Sequence, residues 1–93
     1  MSHLNINDVR SEVLFASALQ PSDQPTAAQV RAEIRRTVRR LGVSGCIACM
    51  AQDFGDTPSR AAARMLWVRS LVADIFAVPL ARNVVTARRQ TAA

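Results

Sequence analysis

Two cysteines three residues apart are the first side chains here whose type and spacing suggest chemistry. Cys46-Ile47-Ala48-Cys49 is formally a C-x-x-C. Redox work requires such a pair at the start of a helix that follows a β-strand, with one thiol acidified toward thiolate. Gly45 precedes the pair and lets it open a helix, but no strand leads into it. A structural zinc site takes four ligands, and beyond its two cysteines the chain holds one histidine, His3, near the N-terminus. Two chains pooling their thiolates would make a four-cysteine site. The simpler expectation is two core thiols packed as small apolar groups, with no metal and no cofactor. No Ser/His/Asp or Cys/His set can be assembled, and Asp53, Asp56 and Asp74 surround no recognisable pocket motif. No catalytic residue is assigned, and the chain reads as a non-enzyme.

Arginines form the second candidate. All twelve basic residues are Arg, against seven acids, in a chain of 93 residues with formal charge +5. Arg31, Arg35, Arg36, Arg39 and Arg40 fall within ten residues, partly offset by Glu33. On a helix they occupy every side but the apolar one, a cationic back suited to a phosphate backbone or an acidic protein surface. Arg31 with Arg35 and Arg36 with Arg40 are like-charged i,i+4 pairs, mildly destabilising, so an acidic partner relieves repulsion. These five are the expected partner-binding patch; a solvated face is the plain alternative. Arg82, Arg88 and Arg89 add +3 in residues 82–93, leaving a nearly neutral body.

A helix-turn-helix is the alternative binding arrangement, formed by a helix over 43–54 and one opening at Pro58. Ala51 supplies a small residue, Gly55 the turn and Thr57 the cap. Ser59 and Arg60, with Arg64 behind them, would address bases, Arg being suited to guanine. Against this, Asp56 and Arg64 stand where the motif wants apolar residues. A second register, turning through Leu41-Gly42-Val43-Ser44, has the better turn. Its reading helix, 45–49, carries no side chain suited to bases.

The elements that must position these residues are helices punctuated by Pro and Gly. With 49% hydrophobic and 20% charged residues, the composition is that of a soluble globular chain. No apolar run approaches the ~20 residues of a membrane span, and no secretory signal opens the sequence, so the expected address is cytoplasmic. Four helices are expected, over about 7–19, 26–41, 43–54 and 58–77, as a compact all-α bundle in one domain, 1–78. Residues 79–93 are expected as a basic tail, flexible or briefly helical. In the first helix Ile6, Val9, Val13 and Ala16 share a stripe, with Leu14, Phe15 and Leu19 off it. Thr26 and Gln29 form a capping box opening the second, whose apolar stripe is Val30, Ile34, Val38 and Leu41. The third, small and apolar with Cys46, Ile47, Cys49, Met50 and Phe54, is expected to be buried. The fourth is apolar on most sides, which predicts either a central position or a self-association face of Phe15, Leu66, Trp67 and Leu71 in a homodimer.

The stretches Leu19-Gln20-Pro21-Ser22-Asp23, Gly45-Cys46, Ala51-Gln52-Asp53-Phe54-Gly55-Asp56 and Ala63-Arg64-Met65-Leu66-Trp67 resemble a group of small, uncharacterised helical proteins of GC-rich actinobacteria. The likeness covers roughly residues 12 to 76. It implies an intact small protein and carries over no functional residue. The expectation is therefore a small helical interaction or regulatory protein that self-associates and binds an acidic protein partner or nucleic acid, without a membrane.

Overall fold

The computed structural model describes residues 5–77. They form α1 (Ile6–Phe15), a 3-10 turn (Pro21–Asp23), α2 (Ala27–Asp56) and α3 (Pro58–Ile75), with no strand among the described residues. The class is all-α as expected, but the α-helices among the described residues number three, not four. Gly42 does take the positive φ that marks it as a helix stop, at φ 70° and ψ 166°. The chain re-enters helix at Val43 without a loop, so the expected second and third helices run on as one kinked element. Residues 27–41 are called its proximal half below, and 43–56 its distal half. The expected tail, 79–93, lies outside the described residues. No described helix is long and apolar enough to cross a membrane.

Helix α1 starts where Asn5 accepts a hydrogen bond from the Asn7 N–H at 2.9 Å. It stops at Phe15, four residues short of the expected end, because its last carbonyls find side-chain donors. The Ser17 hydroxyl donates to the Leu14 carbonyl at 2.6 Å. Ser11, Val13, Leu14 and Phe15 are all buried. Four such residues within five positions cover most of a helix circumference, so α1 is enclosed by α2 and α3, which also pack on each other. The expected stripe holds in part: Val13 is fully buried, but Ile6 is 59% exposed, and Leu14 and Phe15, read as off the stripe, are in the core.

Thus α1, not the last helix, holds the centre. Helix α3 contributes Ala61, Val68 and Val72 to the core and leaves Leu66 71% exposed. The Thr26–Gln29 capping box opens α2 as expected, with reciprocal bonds of 2.8 and 3.1 Å. The proximal half turns Val30, Glu33 and Thr37 inward, whereas Val38, expected on the apolar stripe, is 38% exposed. The distal half is not buried. Cys46 is its one fully covered residue, and Val43, Ile47 and Phe54 are partly exposed. Met50 packs on the core edge, and Phe54 stacks on Phe15 with centroids 5.9 Å apart. Composition made this segment look like core; with α1 only ten residues long, there is too little neighbour to cover it.

Candidate functional site

The proximal half of α2 presents all five expected guanidiniums at the surface, because its inward face is taken by Val30, Glu33 and Thr37. The fold then divides them. Arg36 Nη2 lies 3.0 Å from Glu33 Oε1, a carboxylate only 12% exposed that anchors it along the helix. Arg31 sits 5.5 Å from the centroid of the Phe76 ring, which also receives Arg10 at 4.0 Å, so both cations rest against the end of α3. Arg35, Arg39 and Arg40 have no acid within ion-pair distance among the described residues. Arg35 and Arg39, four residues apart, are neighbours on one strip of helix. The site is therefore an open cationic flank of three guanidiniums, edged by two whose charge already has an internal partner.

The residues proposed to read DNA are placed differently. Ser59 and Arg60 are exposed on the first turn of α3. Arg64 is turned inward: Nε donates to the Phe15 carbonyl at 2.9 Å, and Nη2 to those of Ser17 at 2.9 Å and Leu14 at 3.4 Å. Its guanidinium lies 5.6 Å from the rings of both Phe15 and Trp67. Burial pulls its pKa below the usual arginine value, with Asp53 opposing that shift. Arg64 thus closes the C-terminus of α1, where free carbonyls and the negative end of the helix dipole favour a cation. Sequence reasoning missed this role, although its signal was present: a charge within the otherwise apolar row Ala61, Met65, Val68.

Nor does the α2–α3 corner have the connection a helix-turn-helix uses. Three or four turn residues are usual there; here Thr57 alone separates the helices, and Gly55 lies inside α2. The Thr57 hydroxyl donates to the Asp53 carbonyl at 3.3 Å, serving the end of α2 instead of capping α3. Beside this corner, Phe15, Gln20, Asp53, Arg60, Arg64 and Trp67 line an open cleft of about 410 Å³.

Of the expected self-association residues, Leu66 alone is exposed. Trp67 and Leu71 are half-buried against the core, and Phe15, at 2% exposed, is in the core. Cys46 and Cys49 are separated by burial, the first covered and the second exposed. Burial pushes the Cys46 thiol up, Cys49 adds to that, and Arg40 pulls the other way. An oxidoreductase thiol is shifted downward instead. Among the described residues no three His, Cys, Asp or Glu side chains converge on a position for a metal. Comparison with protein families, curated proteins and solved structures finds no match to this chain.

Proposed function

We propose that this protein is a non-enzymatic interaction protein that binds an acidic protein partner through the cationic flank of α2. The observation that carries the reading is the unequal treatment of five arginines. Arg31 and Arg36 have partners within the fold, while Arg35, Arg39 and Arg40 are exposed with no acid in reach among the described residues. The Arg35–Arg39 repulsion, a few tenths of a kcal/mol, is relieved by a carboxylate from outside. Each exposed ion pair contributes about 0.2–1 kcal/mol, so such a patch supports weak, salt-sensitive, readily reversed binding. A cytoplasmic setting, in which free thiols stay reduced, fits this reading.

Duplex DNA is the competing ligand, and Ser59 with Arg60 is the observation in its favour. It is the weaker reading, because a one-residue corner and an inward Arg64 leave few groups to enter a groove. Fluorescence anisotropy with a labelled oligoglutamate peptide and with random duplex DNA, each through a salt series, separates the two. The peptide should bind at low salt, and Arg35→Glu with Arg39→Glu should weaken it about 10-fold or more. Absence of peptide binding at low salt would remove the acidic-partner reading. DNA binding tighter than peptide binding, lost in Arg60→Ala, would transfer it to the alternative.

A further inference from the structure

The distal half of α2 is where composition and exposure disagree most. No charged residue occurs from Leu41 to Gln52, yet within that stretch Cys46 alone is fully covered. Val43, Ile47 and Phe54 are 40%, 42% and 37% exposed. With Ala51 they fall at i, i+4, i+8 and i+11, which is one side of a helix. Ser44, Ala48 and Gly55 run alongside, and residues this small let another helix approach closely. Exposed apolar side chains scattered singly are ordinary; a contiguous uncharged row marks a contact surface. Leu66 is of the scattered kind, with Ala62, Ala63 and Ser70 as its exposed neighbours on α3.

The charges at the two ends of the row indicate what covers it. Arg40 stands just before it, and Asp53 and Asp56 close it. An antiparallel helix of the same sequence lays each end against the opposite sign, whereas a parallel one stacks like on like. Two antiparallel helices also set their dipoles head to tail. If Val43 of one chain lies over Phe54 of the other, positions sum to 97. Asp53 then sits beside Ser44, and Asp56 falls at the end of the partner's row that Arg40 precedes across the Gly42 kink.

We propose that residues 43–56 of α2 form a self-association face, on which a second copy of this chain packs antiparallel about a two-fold axis. A two-fold contact uses the same patch on both copies and closes at two. The face shares Arg40 with the cationic flank but not Arg35 or Arg39, so Val43→Glu with Ile47→Glu should abolish dimerisation and spare acidic-partner binding, while Arg35→Glu with Arg39→Glu should do the reverse.

Sedimentation of the full chain over a concentration series tests the proposal. The wild type should form dimers by about 200 micromolar. Val43→Glu with Ile47→Glu should raise the dissociation constant about 100-fold while leaving the helical circular dichroism intact, since neither side chain is in the core. Leu66→Glu should leave dimerisation unchanged. Arg40→Glu should weaken it, and adding Asp56→Arg should restore it. A wild type that stays monomeric, or a dimer indifferent to the Val43/Ile47 pair, overturns the face. A dimer lost in Leu66→Glu moves the contact to α3, and failure of the charge swap to rescue overturns the antiparallel arrangement.

Discussion

The two halves of α2 invert what their compositions lead one to expect. Residues 27–41 carry five arginines and a glutamate, yet they hold Val30 and Thr37 fully buried. Residues 43–56 hold no cation at all, yet expose Val43, Ile47 and Phe54 and bury Cys46 alone. The difference lies in what each half packs against. A charged helix with one inward row can be well fixed, because arginine stems tolerate water and the row alone meets the neighbour. An apolar helix with a short neighbour stays uncovered, because burial needs a second surface as well as the right residues. Apolar content measures a demand for cover; the fold decides whether one chain meets it.

The strongest test of this contrast is a matched pair of truncations. Val30→Ala should cost about 2 kcal/mol, from lost transfer free energy and the cavity left behind. Val43→Ala should cost less than about 0.5 kcal/mol in urea unfolding at high dilution. Equal costs would mean that the two halves are equally packed. A comparable effect is expected at the junction. A Cβ at position 42 meets nothing within 4 Å, so Gly42→Ala is penalised only by its backbone, φ 70° with ψ 166°, a region open essentially to glycine alone, at about 1–3 kcal/mol. A more stable Gly42→Ala would show that the two halves need no kink between them.

The finest test addresses the single covered residue of the distal half. Burial raises the Cys46 pKa above its ordinary 9.0, so the folded chain holds that proton more tightly than the unfolded one. The associated stability is complete below pH 9.0 and declines as pH rises past it. Denaturant titrations in alkaline buffers should show this decline, and Cys46→Ala should flatten it. At neutral pH an alkylating reagent should modify Cys49 well before Cys46. Equal rates would place Cys46 at the surface with the rest of its segment.

Local signals in the sequence were legible where local chemistry governs. Thr26 with Gln29 announces the start of α2, and Gly42 the change of backbone direction, because capping and positive φ depend on one or two residues. The inward row of α2 was not legible in the same way. Val38 reads as core and is exposed, while its neighbour Thr37 is buried with its hydroxyl unpartnered among the described residues. One residue is 100° of rotation, and where α1 lies settles which side faces in. The cationic patch was visible as five arginines opposite an apolar row. Which of them are free was not, since Phe76 lies 45 positions beyond Arg31 and no pattern within α2 points to it.

The inward turn of Arg64 bears on how the chain assembles. Helix α1 has ten residues, fewer than the ~12–15 at which an isolated helix becomes even marginal in water. The groups that finish it arrive 47 to 50 positions later, on α3. A growing chain therefore makes its central helix before the group that completes it, and can finish that helix only once α3 has been synthesised. Until then α1 is a waiting segment, and the protein must fold as one event rather than helix by helix.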